Sequence, residues 1–201
     1  KIAEYVNQGK LTTDLIKILC SNGTFAPVEY ELLDYKEDLM NDSHGLAKLV
    51  QRIVSFYNSY GGYIVYGVKE TESELKFDPV GFDSKKINLE KVKALIKEFT
   101  GVRIQVSTMS FDVQAKDNKT HSILFLHIPR RPNTDSPLHF LKNSPVDSKN
   151  KFLFQKDEVF YRSGDECLQA KGPKILELAG ERSNPYLTDH GQQVSGLFRL
   201  N

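Results

Sequence analysis

The sequence predicts an α+β protein with one main domain, in which a mixed or antiparallel sheet packs against helices. Apolar residues recur three or four positions apart in two segments, which is typical of amphipathic helices. Two later segments alternate apolar and polar residues, as the strands of an antiparallel hairpin do. The chain has 201 residues, 39% of them hydrophobic and 26% charged, which is enough for a single folded core.

The first half of the chain is predicted to alternate helices and strands. Thr12 or Thr13 caps the first helix and Ser43 caps the second, and each helix has one apolar face. After the second helix, we expect Gly61-Gly62 to provide a positive φ or close packing between helix and strand. The predicted elements are a helical N-terminal extension over 1–24, a strand over 28–36, a helix over 43–57 and a strand over 63–69.

The second half is predicted to contain a hairpin, a long polar loop and a closing helix. Its elements are a helix over 89–99, hairpin strands over 103–113 and 121–129, a surface loop over 130–151, a strand pair formed by 152–155 and 158–162, and a helix over 173–178. We place the main domain at 25–181 and expect 182–201 to be a C-terminal tail or a linker to a missing domain. Because the chain begins at Lys1 rather than at a methionine, we expect it to be fused to further domains.

Bulk composition limits the classes of function. With a net charge of +1 the chain has no overall basic character, so any phosphate-binding surface has to be local. Cys20 and Cys167 lie far apart without metal-ligand spacing, so we expect no zinc site and a reducing, cytoplasmic location. No apolar run approaches the roughly 18 residues of a membrane span, so we expect no membrane partner.

Four residues form the candidate catalytic site. Asp34 and Lys36 lie two positions apart in a predicted strand and therefore share one face. Glu70 follows the buried run of the next strand, at the strand end where ligands gather. Glu29 shares the site only if the chain bends before the strand, and Glu31 is the competing candidate.

Three carboxylates beside a lysine indicate a metal-dependent site that acts on a phosphodiester. Glu29, Asp34 and Glu70 would bind Mg²⁺ or Mn²⁺, because hard cations prefer carboxylate oxygens. Lys36 would stabilise charge on the phosphate. We expect the acids to project into a polar groove, so that removing their charge leaves folding intact. The alternative is a solvated acid–base pair on a half-exposed strand, together with ordinary surface glutamates.

Basic residues gather in the later part of the chain, where they are candidates for contacts to nucleic acid. Phe140 and Phe152 lie among them, so this part combines phosphate ligands with rings that stack on bases. The alternative is that these residues are solvated loop charges. The candidate nucleic-acid-binding residues are Arg130, Arg131, Lys142, Lys149, Lys151 and Arg162.

Three motifs, in this order along the chain, resemble the Schlafen AlbA_2 domain. They cover residues 28–180 and match a family pattern of Glu-x₄-Glu-Phe-Lys, then Asn-Thr-x-Gly-Gly with a strand ending Gly-Val-x-Asp/Glu, then Tyr-x-Arg-x-Gly-Ser. The corresponding residues are Glu29-x₄-Asp34-Tyr35-Lys36, then Asn58-Ser59-Tyr60-Gly61-Gly62 with Gly67-Val68-Lys69-Glu70, then Val159-Phe160-Tyr161-Arg162-Ser163-Gly164-Asp165.

The resemblance implies an activity and a site. Some Schlafen proteins are endoribonucleases that cut tRNA and rRNA with three acids, whose positions match Glu29, Asp34 and Glu70 here, with Lys36 beside them. Asp34 stands where the family usually has Glu, and Glu70 where it has Asp, which changes the reach of each carboxylate by one methylene. Eukaryotic members use two such lobes and a zinc site, whereas this chain has one lobe and no zinc ligands. A homo-oligomer would supply the second lobe.

We therefore predict a metal-dependent nuclease domain that acts on structured RNA such as tRNA, as the effector of an anti-phage defence protein. The first alternative is a non-catalytic module that binds DNA or RNA with the same fold. The second is an oligomerisation or sensor domain of a larger protein that contains an ATPase. The acids favour the enzyme, and the near-neutral charge disfavours both nucleic-acid functions. The start at Lys1, from which we expect a fragment of a longer chain, favours the sensor.

Overall fold

The computed structural model of the protein describes residues 1–26, 30–71 and 76–180. The predicted tail, 182–201, and part of the predicted strand over 28–36 lie outside these residues. Helices pack here on mixed and antiparallel sheets, which confirms the predicted α+β class. None of the described helices is long and apolar enough to cross a membrane.

The helices are α1 (Ile2–Asn7), α2 (Thr13–Leu19), α3 (Ser43–Asn58), α4 (Leu89–Thr100) and α5 (Pro173–Gly180), with a 3-10 turn at Ser84–Lys86. The strands are β1 (Cys20–Ser21), β2 (Thr24–Phe25), β3 (Leu33–Lys36), β4 (Gly62–Tyr66), β5 (Val68–Thr71), β6 (Lys76–Pro79), β7 (Ser107–Gln114), β8 (Thr120–Ile128), β9 (Val159–Ser163) and β10 (Glu166–Ala170).

A four-stranded sheet with the order β3-β4-β8-β7 forms the centre of the domain. β3 and β4 are parallel and are connected through α3, whereas β8 is antiparallel to both of its neighbours. One face of the sheet packs on α3 and α4, and the other face packs on α1 and α2. Because β4 is covered on both faces, it is a continuous apolar run rather than an alternating one.

The N-terminus of α3 is fixed by Asp42 rather than by the predicted cap, Ser43. The Asp42 carboxylate accepts a hydrogen bond from the Gly45 N–H at 2.6 Å, which satisfies one of the free donors of the first turn. The apolar stripe predicted for this helix is buried, with Leu49 and Ile53 both at 0% exposure. The opposite side of α3 is left to carry polar and basic residues.

The predicted strand over 63–69 is two strands, because the chain turns at Gly67. Gly67 has a φ of 92°, and a Cβ there would lie 2.8 Å from the carbonyl carbon of Gly81. β4 therefore stays in the central sheet, and β5 joins a second sheet with the order β1-β2-β6-β5. This break moves Glu70 into a different sheet from Asp34.

The Gly61-Gly62 turn has the positive φ and the close packing that were predicted. The φ angles are 69° and 156°. A Cβ on Gly61 would lie 2.7 Å from the amide nitrogen of Arg130, and one on Gly62 would lie 2.6 Å from the carbonyl oxygen of Leu32. Backbone occupies the space beside both residues, so neither position has room for a side chain.

The predicted pairing of 152–155 with 158–162 is wrong. β9 pairs instead with β10, which lies after it in the chain, and Phe152 makes an isolated bridge to Val146. A tight turn at Ser163–Glu166 allows β10 to fold straight back, and this local hairpin needs no contribution from the preceding loop. The β9–β10 hairpin packs against α3 and carries Arg162 into the site described below.

His127 joins α1 to the central sheet. Its Nε2 lies 2.8 Å from the Val6 carbonyl oxygen, and its side chain is buried. Beside it, the Tyr63 hydroxyl donates a hydrogen bond to the Lys10 carbonyl oxygen at 2.6 Å. Burial lowers the pKa of His127, and the hydrogen bond to Val6 partly opposes this effect. His127 therefore has a structural role, joining α1 to β8.

Candidate nucleic-acid interface

Asp34 lies at the centre of the candidate site, at the edge of the central sheet where β3 faces α3. Leu33 and Tyr35 point to the opposite side and pack in the apolar core under α1 and α2. The Asp34 side chain is only 2% exposed. Asp34 and Lys36 share one face of β3, as predicted, because the Lys36 side chain reaches the Asp34 carboxylate. The expectation that Asp34 projects into an open groove is wrong, because its side chain is buried.

Three cations surround the Asp34 carboxylate. Lys36 Nζ donates a hydrogen bond to Oδ1 at 2.7 Å, and the Arg162 guanidinium lies 3.7 Å from the same oxygen. Arg52 Nε lies 3.8 Å from Oδ2, which is buried and has no hydrogen-bond partner among the residues that the structure describes. Lys36 and Arg52 keep 25% and 20% of their side-chain exposure, whereas Arg162 keeps 2%. One carboxylate thus holds two cations near the surface and one beneath it.

Arg162 is part of the protein interior, which corrects its prediction as an exposed phosphate contact. Its guanidinium donates to the carbonyl oxygens of Leu33 at 3.3 Å and Tyr30 at 3.5 Å. The same group lies 4.6 Å from the centre of the Phe56 ring. Its backbone N–H donates to Ser59 Oγ at 2.8 Å. These contacts hold the arginine against Asp34 from below.

Lys48 adds a fourth cation to the group. It lies on α3 one turn before Arg52, and residues four apart on a helix are neighbours on its surface. Partial burial lowers the pKa of Lys48, and the charges of Arg52 and Lys36 lower it further, while Asp34 acts in the opposite direction. We call Lys36, Lys48, Arg52, Arg162 and Asp34 the Asp34 cluster. Its four cations share one carboxylate, so it carries net positive charge.

Cys167 lies on β10 beside the Asp34 cluster, opposite Arg162 in the β9–β10 pairing. Burial raises the pKa of the Cys167 thiol, although a hydrogen bond with Ser55 and the charge of Arg162 oppose the rise. The raised pKa favours the protonated thiol, which is less reactive than the thiolate.

Asn58 holds the site's outer segments in place, a role that the sequence reasoning missed. Its side-chain amide donates to the carbonyl oxygens of Leu138 at 2.8 Å and Phe160 at 2.9 Å, and accepts from the Leu138 N–H at 2.7 Å. Asn58 thus ties α3 to the long loop and to β9, which carries Arg162. The signal available in the sequence was an asparagine at the end of an apolar helix, three residues before Gly61-Gly62.

The other predicted acids are not assembled around Asp34 in the described residues. Glu70 is exposed on β5, opposite Phe77, and Glu29 lies outside the described residues. Glu31, the competing candidate, accepts a hydrogen bond from the Gly164 N–H at 3.3 Å. The role of Glu29, Asp34 and Glu70 as a catalytic set stays a prediction.

A divalent metal does not fit the described part of the site. Across residues 1–26, 30–71 and 76–180, no three His, Cys, Asp or Glu side chains are grouped so that they could hold a metal ion. The one carboxylate of the cluster already faces three cations, whose charges oppose the arrival of another. We therefore derive no catalytic step through Mg²⁺ or Mn²⁺.

The remaining predicted basic residues differ in their exposure and in their partners. Arg131 is buried, and its guanidinium donates to the carbonyl oxygens of Asp135 and, at 2.7 Å, Leu178, so its prediction as a phosphate contact is wrong. Lys142 pairs with Glu98. Arg130 is half-buried, while Lys149 and Lys151 are exposed at the tip of a turn. Lys149 and Lys151 remain the best placed of the predicted contacts.

Comparison with known proteins identifies the domain. The family model described as Schlafen, AlbA_2 matches residues 29–171, which is more than half of the chain and includes the whole Asp34 cluster. No curated protein is similar enough to count as a match. The chain therefore belongs to the Schlafen AlbA_2 family, and this membership indicates a nucleic-acid-related function.

Proposed function

We propose that this domain binds nucleic acid, RNA in preference to DNA, through contacts between the Asp34 cluster and the phosphate backbone. The observation that carries the proposal is the arrangement of three cations around one buried carboxylate, with Lys48 as a fourth cation beside them. Lys36, Lys48 and Arg52 lie at the outer side of the cluster, where a phosphate can reach them. Asp34 and Arg162 lie beneath and set their positions.

Electrostatics favour an anion at this site. Cations that repel one another at a partly desolvated site are stabilised when an anion binds between them. The effect is larger than in bulk water, because desolvation weakens the screening of their charges. Partial burial lowers the pKa of Lys48 most, and the charges of Arg52 and Lys36 lower it further. A local site of this kind is compatible with the net charge of +1, since affinity depends on charge near the contact.

The experiment is a titration of labelled RNA at several salt concentrations, with Lys48→Gln as the test variant. Loss of one phosphate contact should weaken binding and reduce the slope of log affinity against log salt by about 0.7 to 0.9. Lys97→Gln is the matched control, because Lys97 is an exposed lysine on a different helix, α4. If both variants bind with the affinity and slope of the parent, the Asp34 cluster is not the binding surface.

A second candidate function is hydrolysis of structured RNA such as tRNA, within an anti-phage defence protein. Its support is the Schlafen motif and the 2.7 Å contact between Lys36 and Asp34, which puts an acid and a lysine together as a phosphodiester site requires. In this function Glu29, Asp34 and Glu70 would act with Mg²⁺ or Mn²⁺. The burial of Asp34 and its three cations make this candidate weaker than binding alone.

Cleavage is tested with Glu70→Gln rather than with an Asp34 variant, because Glu70 is exposed and its replacement leaves the fold intact. The purified chain is incubated with tRNA in Mg²⁺, in Mn²⁺ and in a chelator. Cleavage that needs the metal and disappears in Glu70→Gln supports the nuclease. No cleavage in either metal, with binding retained, leaves the binding module as the function.

A further inference from the structure

A second feature beside α3 indicates which kind of nucleic acid binds. The inference drawn from it rests on the proposed function. Residues 144–154 form a compact hairpin that combines the end of the predicted surface loop over 130–151 with most of the predicted strand over 152–155. Val146 and Phe152 face each other across it as an antiparallel bridge. Both side chains are 44% exposed, so the pair forms a small apolar patch on the surface. We call this segment the 144–154 hairpin.

The hairpin is rigidly built at both ends. At its base, Ser144 Oγ accepts a hydrogen bond from the Leu153 N–H at 2.8 Å, and Phe154 stacks on buried Phe140 at 3.7 Å. At its tip, the Asp147 carboxylate accepts from the backbone N–H groups of Lys149 and Lys151, each at 2.8 Å. These contacts hold the segment that exposes Phe152 at its base and at its tip.

The hairpin stands beside the same stretch of α3 that carries the Asp34 cluster. Gln51, the neighbour of Arg52, donates to the Leu153 carbonyl oxygen at 2.8 Å. At the other end, His44 lies one turn before Lys48 and is close enough to Asp147 to lower the pKa of its carboxyl, after larger effects from backbone hydrogen bonds. The 144–154 hairpin thus contacts α3 through Gln51, which lies three residues after Lys48 and is therefore its neighbour on the helix surface.

Among the phenylalanines that the structure describes, Phe152 is the one whose side chain is exposed. Phe152 follows two exposed lysines in the chain. An exposed ring near cations can bind single strands, because unpaired bases stack on the ring while the cations hold the phosphates. Bases inside a duplex already stack on one another and cannot reach such a ring. We infer that the 144–154 hairpin binds an unpaired base of single-stranded nucleic acid on Phe152, with Lys149 and Lys151 on the adjoining phosphates.

The test compares a labelled oligouridine with a blunt RNA duplex of the same length, by fluorescence anisotropy. The parent should bind the single strand more tightly. Phe152→Leu keeps an apolar side chain but removes the aromatic face, and it should weaken single-strand binding about five- to a hundredfold. Phe152→Trp should retain the affinity, and Leu141→Ala, at a residue of 45% exposure, should leave it unchanged. Thermal melts of each variant establish that it is folded.

The outcomes separate this inference from the proposed function. Equal affinity for duplex and single strand, or an unchanged affinity in Phe152→Leu while Lys48→Gln weakens binding, overturns the role of Phe152 and leaves the phosphate site standing. No binding of either RNA by the parent overturns both. A Phe152→Leu variant that binds RNA normally but loses a protein partner would assign the patch to protein contacts instead.

Discussion

Replacing Asp34 with asparagine removes the one negative charge of the Asp34 cluster while keeping the size of the side chain. We expect the variant to unfold more easily than the parent. The main reason is Arg162, which keeps only 2% of its exposure and cannot turn towards water when its partner loses charge. Removing one partner of a buried ion pair costs about 3–5 kcal/mol, because the remaining charge is left uncompensated.

Several contacts reduce this cost. Lys36 and Arg52 are 25% and 20% exposed, so solvent screens their share of the interaction. Arg162 keeps its contacts with the Leu33 and Tyr30 carbonyl oxygens, and asparagine still offers one acceptor oxygen. We therefore expect a loss of about 2–4 kcal/mol in the free energy of unfolding. For a domain of this size that corresponds to a fall of roughly 5–15 °C in Tm.

The assay is urea unfolding followed by circular dichroism, with Glu70→Gln as the control. Glu70 is exposed on β5, so its variant should lie within about 0.5 kcal/mol of the parent. A large loss of stability in Asp34→Asn beside a small one in Glu70→Gln differs from the expectation from sequence alone, in which all three acids are dispensable for folding. An Asp34→Asn protein within about 1 kcal/mol of the parent would refute the argument that the carboxylate holds the cations together.

Three further predictions concern residues that support the fold around the site. Gly62→Val should destabilise the domain by at least about 1–3 kcal/mol in urea unfolding, because its Cβ would meet the Leu32 carbonyl oxygen; an unchanged midpoint would refute this. Asn58→Ala should cost about 2–4 kcal/mol in the same assay, since buried groups of Leu138 and Phe160 lose their partners; a loss below 1 kcal/mol would contradict it. Because burial lowers the pKa of His127 from 6.5, the unfolded chain binds more protons at acid pH, so stability should fall as pH drops below 6.5 and level off above it. His127→Gln should flatten this dependence in thermal melts, and an equally steep curve would show that another group is responsible.

Much of the fold around the site could be predicted from local sequence patterns. The period of apolar residues located α3 and α4, and the pair Asp34 and Lys36 share a face because residues alternate along a strand. The Gly61-Gly62 turn follows from how few residues join α3 to β4. Each of these inferences depends on residues that are close together in the chain.

The predictions that failed depend on contacts between distant segments. The break at Gly67 follows from the close approach of Gly81, which no local pattern indicates. Arg162 is buried because the β9–β10 hairpin packs on α3 and brings the arginine to carbonyl oxygens more than a hundred residues earlier in the chain. Charge alone cannot distinguish such an arginine from the exposed Lys149 and Lys151.

The most direct test of the central claim is to locate bound RNA on the surface by NMR. Oligouridine is titrated into isotope-labelled protein, and the Nε–H signal of Arg52 and the backbone signals around Lys48 and Phe152 are followed. The account predicts that these signals shift together, with one dissociation constant that weakens as salt is added. Shifts confined to another surface, such as the one around Lys97 on α4, would contradict it.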